Sequence, residues 1–140
     1  MLGAVAVHER SVLADVQDKP DNDLGVLRVA GNPAAVSDES FGFHVQQAAE
    51  KGFKAWIALL GKEYPLTHEL DLLIDMIRQQ DPAVSQYANL ARFSAFAVKY
   101  RYGPLPENAA RIDRPAAIRE AEALLRRVRR LLPEAGSEAL

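Results

Sequence analysis

The chain has 140 residues, of which 49% are hydrophobic and 26% charged, and its formal net charge is −2. This length and composition fit one compact domain that buries a core of its own. The absence of cysteine excludes disulfides and thiolate metal sites. The near-neutral charge disfavours a protein whose whole surface is built to bind nucleic acid.

Membrane and metal classes are also disfavoured. No stretch approaches the roughly 20 apolar residues that span a bilayer. The three histidines, His8, His44 and His68, are too scattered to suggest a zinc site. We therefore expect a cytoplasmic protein that carries no metal and no cofactor.

The first part of the chain has the weakest helical pattern. Residues 1–20 are predicted to form an N-terminal arm or an extra helix that ends at Pro20. A first helix is predicted over residues 21–30, where apolar residues recur at helical spacing until Gly31.

The clearest helical pattern is FGFHVQQAAEKGFKAWIALL, residues 41–60. Apolar and small residues there recur at steps of three and four, which predicts one buried face of Val45, Ala49, Gly52, Trp56 and Leu59. Ser37 or Asp38 can cap the start and Gly61 can end it. The prediction is a helix over residues 38–60.

Two more helices are predicted before residue 103. Thr67 should cap the first of them, whose buried stripe comprises Leu66, Leu70, Leu73, Ile74 and Ile77. Asp81 should cap the second, with Pro82 at its first position and a helix to residue 102. Its predicted stripe comprises Val84, Tyr87, Ala88, Ala91, Ala95, Val98 and Tyr102.

A last helix is predicted from Asp113 to residue 132, with residues 133–140 as a frayed tail. Its stripe comprises Ile118, Ala121, Leu124, Leu125, Val128, Leu131 and Leu132. Its end carries four arginines that suit the helix dipole: Arg126, Arg127, Arg129 and Arg130. With no strand alternation anywhere, residues 21–132 are predicted to form an all-α, up-and-down antiparallel bundle of four or five helices.

Polar residues along the 38–60 helix form the first candidate site. His44, Gln47 and Lys51 lie at i, i+3 and i+7 and line one edge. His44 could contact a ligand or bond to a backbone group, and Gln47 could instead bond between helices. The long stem of Lys51 can pack while its ammonium reaches out.

A second candidate site lies towards residue 102. Arg92, Lys99 and Arg101 are the strongest candidates for anion binding, since a guanidinium matches phosphate oxygens in a two-pronged way. Tyr102 could stack on a base or fill a dimer seam. The alternative for Arg92, Lys99 and Arg101 is ordinary solvated charge, which could pair with Glu50.

We expect His68 to help close the turn before its helix. If the helix before it runs antiparallel to the helix after it, about 16 residues at 1.5 Å each separate His44 from His68, roughly 24 Å. The two histidines are then expected not to share a site within one chain.

The segment FHVQQAAEKGFKAWI, followed by Pro65 and THEL, resembles the HEPN domain family (higher eukaryotes and prokaryotes nucleotide-binding). Asp23-Leu24 and Tyr100-Arg101-Tyr102-Gly103 extend the resemblance over roughly residues 21–132. It implies an all-α bundle that usually forms a homodimer. Many prokaryotic members are encoded beside a minimal nucleotidyltransferase, as its substrate-binding partner or as the toxin of a toxin–antitoxin pair.

One branch of the family consists of metal-independent ribonucleases that use an Arg, four to six residues and then a His. Here no histidine follows His68, so that signature is absent. The resemblance therefore favours a non-catalytic nucleotide-binding domain or nucleotidyltransferase partner. The alternatives are a ribonuclease with an atypical site that uses His44 and Arg101, and a purely structural interaction module.

Overall fold

The computed structural model describes residues 36–97 and 112–138. They form three α-helices and one 3₁₀ helix: α1 (Asp38–Leu59), α2 (Leu70–Arg78), the 3₁₀ helix (Pro82–Phe96) and α3 (Arg114–Glu138). No strand occurs within these two ranges, which confirms the predicted all-α bundle. The predicted arm and the helix over residues 21–30 lie outside the described residues and stay predictions.

Helix α1 begins and ends where the sequence predicts. The Ser37 hydroxyl oxygen accepts a hydrogen bond from the Ser40 amide at 3.2 Å, so it satisfies one of the amides left unpaired at the helix start. Gly61 follows the helix with φ 78°, a left-handed conformation that glycine adopts without strain. The predicted face is buried at Val45, Ala49, Gly52 and Trp56 and half-buried at Leu59.

The segment after Asp81 differs from the prediction. It forms a 3₁₀ helix rather than an α-helix, capped as expected by the Asp81 carboxylate, which accepts from the Ala83 amide at 3.1 Å. Its buried side chains recur at every third residue: Val84, Tyr87, Leu90 and Phe93. Three residues per turn align exactly this spacing on one face of a 3₁₀ helix. The predicted stripe is therefore wrong at Ala95, which is exposed.

Helix α2 begins later than predicted. Thr67 is not its cap; the Thr67 hydroxyl accepts from the Glu69 amide at 3.1 Å, and the helix starts at Leu70. Leu66 is 94% exposed, so its assignment to the buried stripe is wrong. It lies in the non-helical connection that follows Pro65, where the helical period does not apply.

Helix α3 begins as predicted. The Asp113 carboxylate accepts from the Ala116 amide at 3.1 Å. The helix continues to Glu138, beyond the end predicted at residue 132.

Contacts at the helix ends set the directions of the elements. The Leu70 amide donates to the Ser94 hydroxyl at 3.0 Å, and Arg78 Nε donates to the Ser85 hydroxyl at 3.2 Å, so α2 and the 3₁₀ helix are antiparallel. Asp38 and Arg114 pair at 2.6 Å, which joins the starts of α1 and α3. Each of α2 and α3 packs on α1 and on the 3₁₀ helix, and α2 does not contact α3.

The core is organised around α1. Trp56, Phe41 and Phe53 are fully buried there, and leucine and isoleucine side chains of α2 and α3 close over them. Within the described ranges, no helix has the length and apolar character needed to cross a bilayer.

Candidate anion-binding groove

An open groove of about 460 Å³ lies between the 3₁₀ helix and α3. We call it the arginine groove; its lining residues are Gln86, Tyr87, Ala116, Arg119, Glu120, Ala123, Arg126 and Arg130. The six lining residues from α3 recur at steps of one, three and four, so they share one face of that helix.

Three guanidinium groups dominate the groove. Arg119, Arg126 and Arg130 are exposed and lie at i, i+7 and i+11 of α3. At 1.5 Å per residue, this spacing spreads the three side chains over about 16 Å of the helix. Arg126 approaches Glu122 only to 3.8 Å. Within the described part of the chain, Arg119 and Arg130 form no ion pair.

The one acidic residue of the groove is already paired. Arg92 donates from Nη1 to Glu120 at 2.9 Å, and the same nitrogen donates to the Asn89 carbonyl. The Arg92 guanidinium also lies 4.6 Å from the centre of the Phe93 ring. Because Glu120 is held by Arg92, the groove keeps the positive character of its three other arginines.

The floor of the groove is fixed to the core. The Tyr87 ring lies edge-on against Trp56 at 5.9 Å, and Trp56 is fully buried on α1. The Arg127 guanidinium lies 5.8 Å from the Trp56 ring and 4.0 Å from the Asp81 carboxylate. These contacts hold the 3₁₀ helix and α3 in fixed positions on the two sides of the groove.

A second polar cluster lies on α1 and on the connection to α2. We call it the Glu50 cluster; it comprises Gln46, Gln47, Glu50, Lys54 and His68. The Glu50 carboxylate accepts from Gln46 Nε2 at 2.9 Å, lies 2.8 Å from His68 Nδ1 and pairs with Lys54 at 3.0 Å. Gln46 Nε2 also donates to the His68 carbonyl at 3.2 Å. These contacts hold the connection between α1 and α2 against α1.

Burial of Glu50 alone would raise the pKa of its carboxyl group. The hydrogen bonds from His68, Gln46 and Lys54 together outweigh burial and hold the pKa of Glu50 below its ordinary value of 4.5. Glu50 is therefore ionised at neutral pH. An ionised carboxylate can only accept, so the His68 nitrogen that faces it carries the proton.

A pH prediction follows from this lowered pKa. A carboxyl group whose pKa is lower in the folded state adds stability above its unfolded pKa and loses it as the pH falls through the folded pKa. We expect Glu50→Gln to lower the free energy of unfolding at pH 7, and this deficit to shrink steadily below pH 4.5. Urea unfolding of both proteins from pH 7 to pH 3 measures the difference. A deficit that stays constant with pH would contradict the assignment.

The residues predicted along the edge of α1 are only partly joined to these sites. Gln47 donates to Gln46 Oε1 at 2.7 Å and so supports the Glu50 cluster from the side. The His44 ring packs edge-on against Phe43 at 5.7 Å. His44 and Lys51 are both half-buried on α1, whereas the arginine groove lies between the 3₁₀ helix and α3.

The predicted anion site near residue 102 is only partly visible. Arg92 lies at the groove through its pair with Glu120, and the suggested pair with Glu50 is wrong because Glu50 is bonded to His68 and Lys54 instead. Lys99, Arg101 and Tyr102 lie outside the described residues.

The predicted separation of the two histidines is also wrong. His68 lies beside Gln46, and residues 44 and 46 are only about 3 Å apart along the helix axis. The connection after α1 runs back along that helix before α2 begins, whereas the predicted distance of roughly 24 Å assumed that His68 stays near the end of α1. The His44 side chain still points away from His68, because residues 44 and 46 are about 200° apart around the helix axis.

Sequence reasoning missed the groove residues. The signal was present for the arginines, because Arg119, Arg126 and Arg130 share a helical face. Arg126 and Arg130 were predicted only as charges that suit the helix dipole, and Arg119 was not predicted as a site residue. In the described part of the chain, no group of three or more histidine and carboxylate side chains is arranged to hold a metal ion.

Comparison with known proteins identifies one family. The model of the HEPN domain matches residues 38–135, which include α1, α2, the 3₁₀ helix and α3 as far as residue 135. The match begins at Asp38, so the similarity suggested for Asp23-Leu24 lies outside it. Searches of curated proteins and of solved structures find no match for the chain. The chain belongs to the HEPN domain family, a family of nucleotide-binding or ribonuclease-like helical domains.

Proposed function

We propose that this HEPN domain is non-catalytic and binds a nucleotide by its phosphates in the arginine groove. The observation that carries the proposal is the alignment of Arg119, Arg126 and Arg130 along one wall of the groove, opposite Gln86 and Tyr87. Guanidinium groups bind phosphate oxygens through paired, charge-assisted hydrogen bonds.

The charge balance of the groove supports an anionic ligand. Among the lining residues that the structure describes, the only acidic one is Glu120, whose charge is paired with Arg92 at 2.9 Å. Arg126 and Arg130 are four residues apart, about 6 Å along α3, and can approach one polyphosphate together. Arg119 lies about 10 Å from Arg126 along the same wall, within reach of another part of the ligand.

The lining chemistry supports binding rather than catalysis. None of the described lining residues of the groove is a histidine, so they offer no side chain that normally titrates near neutral pH as a general acid or base. The sequence also contains no Arg followed after four to six residues by a His.

The proposal extends to partners. A HEPN bundle that holds a nucleotide without transforming it suits a substrate-binding partner of a minimal nucleotidyltransferase, as in toxin–antitoxin-like pairs of the family. A homodimer is proposed on the same family grounds. Co-purification with a minimal nucleotidyltransferase and light scattering of the pure chain test these two points separately.

The binding proposal is tested by calorimetric titration with ATP. We expect the unchanged chain to bind ATP and R126E/R130E to bind at least about 100-fold more weakly, since each lost charged contact costs about 1.5–3 kcal/mol. The matched control is K62E/R78E, which changes the net charge equally but lies outside the groove. An equal loss in the control, or no ATP binding by the unchanged chain at millimolar ligand, would overturn the proposal.

One observation favours a ribonuclease as the second candidate. The His68 imidazole is held at 2.8 Å by Glu50 while its side chain is 65% exposed, an arrangement that can orient a general base towards solvent. Incubation of the pure chain with RNA, with H68A and H44A compared, decides this. Cleavage that H68A abolishes and H44A keeps would establish the candidate; intact RNA in all three samples would remove it.

A further inference from the structure

The surface formed by α2 and the connection before it combines exposed leucines with carboxylates. We call it the acidic leucine face; it comprises Glu63, Leu66, Glu69, Asp71, Leu72 and Asp75. Leu66 is 94% exposed and Leu72 is 52% exposed, and they are the exposed large hydrophobic residues of the described part. Leu66 lies in the connection, four residues before α2 begins, and Leu72 lies on the solvent-facing side of α2.

Helical geometry concentrates the face on one side of α2. At 100° per residue, Asp71, Leu72 and Asp75 fall within an arc of about 100°. The opposite side of the helix is buried at Leu70, Leu73, Ile74 and Ile77. Leu72 therefore lies at one edge of this arc, next to Asp75, and faces solvent.

The face carries a negative charge that is largely uncompensated. Asp75 pairs with Arg78 at 2.7 Å. Glu63, Glu69 and Asp71 form no ion pair within the described ranges. A surface with apolar anchors among carboxylates is complementary to a ligand that presents apolar side chains among cations.

A second copy of this chain fits the face poorly. A two-fold contact brings the same patch of both copies together, which here would set carboxylates against carboxylates. The basic side of α3 has the right charge, but within one copy α2 and α3 do not contact each other, so the two surfaces are separate patches. Pairing α2 of one copy with α3 of another is a head-to-tail contact, which builds a ring or an open filament rather than a dimer with one self-complementary interface.

We infer that the acidic leucine face binds a basic amphipathic helix of another protein, with Leu66 and Leu72 as its apolar anchors. This inference goes beyond nucleotide binding and does not depend on it, because no residue of the acidic leucine face lines the arginine groove. Apolar burial supplies the affinity, and the carboxylates set the charge and orientation of the partner helix.

The test uses three synthetic 18-residue helical peptides with a fluorescent label. The first has a leucine stripe flanked by lysine and arginine, the second replaces these cations with glutamate, and the third replaces the leucines with serine. Fluorescence anisotropy is measured with the full chain and with L66S/L72S. Both changed side chains are exposed, so an unchanged melting temperature verifies that the variant is folded.

We expect only the first peptide to bind and L66S/L72S to weaken it at least tenfold. Asp71→Lys should weaken it as well, whereas the matched change Glu39→Lys on the first turn of α1 should have less effect. Amide shifts in the NMR spectrum should map to residues 63–75. Equal binding of L66S/L72S, equal binding of the serine peptide, or shifts confined to another surface would overturn the inference. So would a dimer of the unchanged chain that L66S/L72S dissociates.

Discussion

Replacing Glu50 by alanine is expected to lower the free energy of unfolding by about 3 kcal/mol. The Glu50 side chain is only 12% exposed and joins three other side chains across two segments of the chain. Its removal takes the carboxylate partner from the Lys54 ammonium, whose side chain is 15% exposed, and leaves Nε2 of the buried Gln46 with only the His68 carbonyl as acceptor. Removing one member of a buried charged network lowers the free energy of unfolding by more than the intact network contributes to it, because the remaining charge is left buried without a partner.

Urea unfolding at pH 7 measures this loss. The matched control is Glu63→Ala, which removes an exposed carboxylate just outside α1 and should change stability by less than about 0.5 kcal/mol. Since the network fastens the connection to α1, hydrogen exchange in E50A should also accelerate at residues 62–69. A loss no larger than that of E63A would show that the cluster does not hold this connection.

Replacing Gly42 by valine is expected to lower the free energy of unfolding by about 2–3 kcal/mol. A Cβ at this position would overlap the ring of Phe96 at the end of the 3₁₀ helix. Valine adds two methyl groups to that overlap, and a well-packed interior relieves such crowding only by shifting backbone or rotamers. Gly42 therefore allows the start of α1 and the end of the 3₁₀ helix to approach closely.

The pair of residues offers an internal control. If the overlap with Phe96 is the cause, Phe96→Ala should cost less in the G42V background than in the unchanged chain. Chemical denaturation of both single variants and the double variant gives the coupling energy. Losses that simply add would contradict the close approach.

The fold could be predicted because local rules and burial agree along most of the chain. Ser37 and Gly61 bound α1, Asp81 caps the next helical segment, and Asp113 begins α3, all as the sequence indicates. The exception is the 3₁₀ helix. Its buried residues have a period of three, but Ala88 and Ala91 also offered a plausible α-helical face, and only packing against α1 and α2 selects between them.

The candidate site was less predictable for a reason of geometry. The spacing of Arg119, Arg126 and Arg130 is visible in the sequence, but Gln86 and Tyr87 belong to it only because the 3₁₀ helix packs beside α3. The contact of His68 with Glu50 depends on the return path of residues 60–69. Helical periodicity predicts neither the path of a connection nor which helices pack beside each other.

The most direct test of nucleotide binding in the groove is an NMR titration of the isotope-labelled chain with ATP, which locates the ligand as well as detecting it. The proposal predicts amide shifts centred on residues 86–87 and on residues 116–130 of α3. Shifts centred instead on His44, Gln47 and Lys51, or a spectrum that ATP leaves unchanged, would contradict it.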